Sequence, residues 1–281
     1  MKKIGVVGCG VMANGIVIVC AQANYQVVFT EMTDELVKKG LATIDKFLSN
    51  SVKKEKITEQ DKMAVMSRIK GSTDINMFAD CDMVIEAVSE LIELKKQIFA
   101  DLDRICKPEA IIATNTSCLS IIDLASMTKR PEKVLGLHFM NPVPIMKLIE
   151  VVRTLATSDE TLDIGKQFST SVGKTVVIAK DTPGFIANYL IMPYLLNAMR
   201  IFDNGVATKE DIDTTMHLGF NHPMGPLTLS DLIGLDTVLF VVNAIYDETK
   251  DPQFAAPSIL SKMVTAGWHG RKTGKGFYDY S

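Results

Sequence analysis

The chain has 281 residues, 47% of them hydrophobic and 22% charged, with a formal net charge of −3. That is the composition of an ordinary globular protein with room for one large or two modest domains. The mild negative charge argues against a non-specific nucleic-acid binder, and no apolar run approaches the ~20 residues that span a bilayer.

Lys2 to Val7 is short, apolar and β-branched, the pattern of a buried parallel strand. It leaves no room for a signal peptide ahead of it. A glycine turn, Gly8-Cys9-Gly10-Val11-Met12-Ala13, follows at once, and Val11 to Ala23 reads as a helix. In such a turn the first glycine permits the bend. The second lets a pyrophosphate approach the backbone, and a small third residue packs helix on strand. The helix N-terminus then faces the phosphates. A second strand, Gln26 to Phe29, ends near Glu31, about 20 residues beyond the turn, where an acid meets the adenosine ribose hydroxyls. A carboxylate there repels a 2′-phosphate and favours NAD, with NADP left open. Gly8, Gly10, Val11, Met12, Ala13 and Glu31 are therefore candidate cofactor-binding residues.

Asp34 to Asn50 has apolar residues spaced for one helix face, and a lysine-rich loop, Ser51 to Lys56, follows. Thr58 to Arg68 reads as a helix capped by Thr58 with Asp61 three residues on. Then strands and helices alternate: strand Met83–Ala87, helix Glu93–Ile105, strand Ala110–Thr114, helix Ser120–Ser126 and strand Val134–Phe139. Lys147–Val152 and Thr175–Ile178 extend the sheet around a helix at Thr161–Val172. Alternation of this kind predicts an α/β fold with an N-terminal Rossmann-like doubly wound sheet.

Asp181-Thr182-Pro183-Gly184 marks a boundary, giving domains at 1–183 and 184–281. The second is all-α, with helices at Phe185–Phe202, Lys209–Leu218, Leu227–Asp247 and Ser258–Ala266. The helix at Phe185–Phe202 carries Pro193 midway and is apolar nearly all round, which points to cover from a second copy in a homodimer. The five cysteines are odd in number, without a Cys-x-x-Cys pair, and read as reduced thiols of a cytoplasmic protein. His217 and His222 straddle a Gly-Phe break, a poor spacing for metal ligands, so no metal is expected.

His138-Phe139-Met140-Asn141-Pro142 closes an apolar strand and is followed a dozen residues on by Glu150. Alcohol oxidation needs a base of near-neutral pKa for the hydroxyl proton, and histidine fits that with little tuning. Glu150 is placed to accept the other imidazole N–H. Ser117 follows a strand end and is a candidate donor to the substrate oxygen, or a cap for the helix that follows.

The chain resembles the short-chain L-3-hydroxyacyl-CoA dehydrogenases. The likeness rests on the glycine turn, Val84-Ile85-Glu86-Ala87, Asn115-Thr116-Ser117, His138 to Glu150, and Pro183-Gly184-Phe185 with Asn188. It continues through His222-Pro223-Met224-Gly225-Pro226, Asp231 to Asp236, and Gly270 to Tyr278. It implies NAD(H)-dependent interconversion of L-3-hydroxybutyryl-CoA and acetoacetyl-CoA, with His138 and Glu150 as the acid–base pair. It also implies Ser117 and Asn188 on the substrate, and Glu90, Lys95, Asn115, Asn141 and Lys272 around the nicotinamide half of the cofactor. Lys53, Lys54 and Lys56 match the segment that receives the nucleotide end of an acyl-CoA, and the same run also reads as a solvated face. Leu91 stands where the family has asparagine, and Cys118 where it has a second serine. Two other readings stay open: a dehydrogenase of a free hydroxy acid on the same scaffold, and a non-catalytic NAD-binding sensor.

Overall fold

The computed structural model describes residues 1–280. The chain divides into two compact units, Met1–Asp181 and Thr182–Ser281.

In the first unit the elements run β1 (Lys3–Val7), α1 (Val11–Gln22), β2 (Gln26–Thr30), α2 (Asp34–Lys53), α3 (Glu59–Met66), β3 (Ile69–Ser72), β4 (Met83–Glu86) and α4 (Ile92–Ile105). They continue with β5 (Ile111–Thr114), α5 (Ile121–Ala125), β6 (Val134–Phe139), β7 (Leu148–Arg153), α6 (Asp159–Ser171) and β8 (Thr175–Lys180). One sheet holds the strands in the order β3-β2-β1-β4-β5-β6-β7-β8. Strand order reverses beside β1, and a crevice at such a switch point, outside the strand carboxyl ends, is where a ligand binds. Neighbouring strands are parallel except β6 and β7, which pair antiparallel with His138 opposite Glu150. The inner strands are buried along almost their whole length, as expected where helices cover both faces.

Local sequence explains most element ends. Thr58 accepts from the Asp61 amide while Asp61 accepts from the Thr58 amide, a full capping box for α3. Ser158 caps α6 and Ser120 caps α5. One expectation needs correction here. Helix α2 runs to Lys53, so Ser51 to Lys53 form its last turn and only Lys54 to Ile57 connect to α3. Lysine in a last turn complements the helix dipole, so the charge run was no sign of a loop. The strand β3 had no signal: Ile-Lys-Gly-Ser at a sheet edge is half-exposed, with neither alternation nor an apolar run.

The second unit is helical: α7 (Ala187–Asp203, with Pro193 inside it), α8 (Lys209–Gly219), α9 (Pro226–Ile233), α10 (Leu235–Thr249) and α11 (Ser258–Thr265). The single helix expected over Leu227–Asp247 is two, meeting at 93°. Gly234 lies between them at φ +101°, a backbone that side chains rarely adopt, and it ends α9 and starts α10 at once. Two buried aspartates brace this region. Asp213 accepts from the Leu227 and Thr228 amides at the head of α9. Asp231 accepts from the Phe277 and Tyr278 amides and the Tyr280 hydroxyl, fastening the C-terminal segment. Among the described residues no single helix is long and apolar enough to cross a membrane.

Candidate active site

The glycine turn opens directly off β1. Gly8 has φ +101°, and a Cβ there would press on Ala87 O at 3.1 Å, so both conformation and space call for glycine. A Cβ at Gly10 would meet nothing within 4 Å. The room beside Gly10 belongs to a cavity of about 740 Å³ lined by Gly8, Gly10, Val11, Met12, Glu31, Glu90, Asn115 and Ser117, among others. Gly10 caps α1 without a side chain, so the first helical amides stay open to a phosphate. Ala13 is fully buried under the turn and acts by close packing.

Glu31 sits at the cavity edge, where its carboxylate accepts from the Cys9 amide (2.7 Å) and from its neighbour Met32 (3.1 Å). Burial and the Glu31 charge push the Cys9 thiol up to about 12, which keeps it protonated. Cys118 is pushed up to about 12 by burial and then by Glu90, so it behaves as a packing residue. All five cysteines are free thiols.

The pairing of His138 with Glu150 comes from sheet register. His138 and Glu150 face each other across the antiparallel β6–β7 pair, with Nδ1 of the imidazole 2.6 Å from Glu150 Oε2. His138 is 5% exposed and Glu150 0%, so the bond lies in a low-dielectric setting where it is strong. An ionised carboxylate can only accept, so in this bond Nδ1 is the donor.

Asn115 Oδ1 accepts from the Phe139 amide at 2.9 Å, tying the end of β5 to the residue after His138. Ser117 donates its amide to Glu90 Oε1 (2.9 Å), and the Thr116 hydroxyl bonds Glu90 Oε2 (2.8 Å). The first turn of α5 is held by Ser120 and by the Asp181 carboxylate, which accepts from the Ile121 and Ile122 amides.

Not every expected residue reaches the large cavity. Lys95 is 1% exposed, with its ammonium bonded to Glu86 Oε1 at 2.7 Å and 3.5 Å from Glu90 Oε2, and it lies behind Glu90. Asn141 instead lines a second cavity of about 440 Å³ with Asn14, Thr43, Phe47 and Val143. The Asn141–Pro142 bond is cis. Lys174 holds the loop beyond it, donating to Val143 O (2.6 Å) and Met146 O (2.7 Å), and burial lowers its pKa. Lys53, Lys54 and Lys56 are exposed, at and just after the end of α2. Asn188 and Lys272 belong to the second unit. Asn188 is half-buried in the first turn of α7, and Lys272 pairs with Asp236 at 2.6 Å. Among the described residues no group of three or more His, Cys, Asp or Glu side chains could hold a metal ion.

Sequence reasoning passed over Glu86, Thr114 and Lys174. Glu86 had a signal, a carboxylate inside an otherwise apolar strand; Lys174, in a polar turn, had none.

Residues 3–182 match the NAD-binding domain of 3-hydroxyacyl-CoA dehydrogenase, and residues 184–280 match its C-terminal domain. The chain belongs to the 3-hydroxyacyl-CoA dehydrogenase family. It is 45% identical to a 3-hydroxybutyryl-CoA dehydrogenase of Clostridioides difficile over 99% of each chain. It is 44% identical to one of Bradyrhizobium diazoefficiens over 100% of this chain and 96% of that one. Its fold superposes with a TM-score of 0.97 on (S)-3-hydroxybutyryl-CoA dehydrogenase PaaH1 from Ralstonia eutropha, 43% identical, covering 100% of this chain and 99% of the other. As a 3-hydroxyacyl-CoA dehydrogenase, the chain is an NAD-dependent oxidoreductase. The turn, the cavity beside Gly10 and the Glu31 carboxylate fit that cofactor.

Proposed function

We propose that this enzyme interconverts L-3-hydroxybutyryl-CoA and acetoacetyl-CoA. The observation that carries the reading is the buried His138–Glu150 pair beside the carboxyl edge of a sheet with a dinucleotide turn. NAD(H), if held by the glycine turn and Glu31, would supply hydride exchange at C3 of the substrate. In reduction His138, as imidazolium, gives its Nε2 proton to the oxygen on C3; in oxidation the neutral ring takes the hydroxyl proton at that atom. Glu150 holds the tautomer and stabilises the imidazolium. Ser117 donates a hydrogen bond to the same oxygen, and Asn188 takes the thioester carbonyl. Gly8, Gly10, Val11, Met12 and Ala13 carry the pyrophosphate, and Glu31 the adenosine ribose. Glu90, Lys95, Asn115, Asn141 and Lys272 shape the nicotinamide end, with Lys95 acting through Glu90. Lys53, Lys54 and Lys56 offer three exposed charges to the coenzyme A phosphates.

The same reading includes a cytoplasmic homodimer formed through the helical unit. Support comes from five free thiols and from exposed apolar residues such as Leu190 (69%), Leu218 (74%) and Phe220 (68%). Light scattering giving twice the mass of one chain at micromolar concentration is expected; a monomer would remove the dimer.

The deciding experiment is initial rates with acetoacetyl-CoA, comparing NADH with NADPH. NADH is expected to be preferred tenfold or more in kcat/KM, about 1.4 kcal/mol of discrimination. Preference for NADPH would overturn the role given to Glu31. Turnover of free 3-keto acids with none of the thioester would favour the free-acid alternative.

A further inference from the structure

Glu86 lines neither cavity. It ends β4 among apolar neighbours, is 0% exposed, and its two oxygens accept three hydrogen bonds of 2.7 Å each. Oε1 takes the Val88 amide and the Lys95 ammonium; Oε2 takes the Thr114 hydroxyl. We propose that Glu86 is a positioning residue: through Lys95 it holds Glu90 in the orientation that fixes the Thr116–Ser117 segment.

The geometry carries this in two steps. First, one buried ammonium is shared by two carboxylates, at 2.7 Å from Glu86 and 3.5 Å from Glu90. The shorter contact keeps the charge of Lys95 largely on Glu86, so Glu90 remains available as an acceptor. Second, Glu90 spends both oxygens on the segment after β5, Oε2 on the Thr116 hydroxyl and Oε1 on the Ser117 amide. Glu86 also grips the start of that segment directly, through the Thr114 hydroxyl, to which the Thr116 amide donates in turn at 3.2 Å. Residues 114 to 117 are thus pinned at both ends by one pair of carboxylates with a lysine between them. A plain buried ion pair, kept only to neutralise charge, needs no second carboxylate reaching the cavity wall. If Glu86 loses its charge, Glu90 is the remaining charged partner of a buried ammonium whose other contact is the neutral Val88 carbonyl at 3.4 Å. It must close on Lys95 and release Thr116, Ser117 or both, because a buried charge left unpaired is strongly unfavourable. The consequence for turnover rests on the reading of Ser117 as the donor to the substrate oxygen.

The test is Glu86→Gln, which keeps shape and volume. Hydrogen exchange of the Ser117 amide is expected to accelerate tenfold or more, while the amides of β1 stay protected. kcat is expected to fall about tenfold with little change in KM for acetoacetyl-CoA. The loss should shrink when Glu86→Gln is made on a Ser117→Ala background, because coupled residues give non-additive effects. Unchanged Ser117 exchange in a folded Glu86→Gln enzyme overturns the proposal. So do fully multiplicative losses where Ser117→Ala itself slows turnover. Faster exchange together with a Ser117→Ala enzyme of undiminished kcat leaves the relay standing and removes Ser117 from the chemistry instead. Should the single variant not fold, Glu86→Gln combined with Lys95→Met removes both buried charges together, the better tolerated change. Faster Ser117 exchange is expected there too, and unchanged exchange is again fatal.

Discussion

At His138 a short bond joins Nδ1 to Glu150 Oε2, and the proposed role of the ring as the base leaves Nε2 for the substrate. Replacing His138 by alanine is expected to lower kcat by roughly 10²–10⁴-fold, the range for a lost general acid–base group. The far-ultraviolet spectrum and melting point should stay near those of the parent. An active, pure His138→Ala enzyme would end its role as the base. Glu150→Gln is predicted to slow turnover by roughly 10²-fold or more, because an amide can donate to Nδ1 and so place the ring proton on the wrong nitrogen. Equal kcat in that variant would show that the carboxylate is only a packing partner. The sequence drew attention to His138 and Glu150 because each falls at the end or middle of an apolar strand, where a polar residue has to be explained. Glu86 sits in an equally apolar strand and was passed over, because its partners are scattered in sequence, nine and 28 residues away.

Among elements, those with caps and strong periodicity were legible, and those defined by one backbone angle were not. The α9–α10 corner turns on the φ of Gly234, and a lone glycine in an apolar helical pattern does not announce a right-angle turn. The contact of α2 with the glycine turn is another such feature. A Cβ on Gly40 would lie 1.8 Å from Cys9 Sγ, so that thiol occupies the space of the missing side chain. Glycine to alanine inside a helix ordinarily stabilises by about 1 kcal/mol. Here Gly40→Ala is expected to push α2 off the turn and weaken NADH binding several-fold. Adding Cys9→Ala should restore it, since the next contact is the Cys9 Cβ at 3.2 Å. Fluorescence titration with NADH measures both. Parent-like affinity in Gly40→Ala, or no rescue, would refute the account.

For the molecule as a whole, the α/β alternation followed by helices could be read from the chain, but β7 by its own residues does not show that it runs backwards; only the short connection from Phe139 to Leu148 bears on that. Nothing in Leu148 to Arg153 distinguishes a parallel from an antiparallel strand, since both are apolar when buried on two faces. Charge ties the central strands together at the amino ends of β1 and β4. Burial opposes ionisation of Asp82, but the Lys107 ammonium and the Lys2 and Lys3 amides outweigh it and hold the carboxyl at about 2. That lies below the ~3.9 of an unfolded aspartate, so the unfolded chain takes up its proton first as pH falls. The stabilisation is complete above pH ~4 and is lost as pH drops toward 2. Asp82→Asn is therefore expected to lower the melting temperature at pH 7 by roughly 1–3 °C, a small effect because solvent screens the site. The gap to the parent should narrow as pH falls below 4. A gap that stays constant down to pH 3 would exclude the ion pair as its source.

The antiparallel step between β6 and β7 makes the His138–Glu150 pair a matter of parity. Side chains alternate faces along a strand, so His138 meets Glu150 only while the two strands keep their count. The connection between residues 140 and 147 lies outside the paired stretch, so its length alone does not break the pair. One residue added or removed inside β7 ahead of Glu150 turns the carboxylate to the opposite side of the sheet, and no neighbouring side chain can take its place.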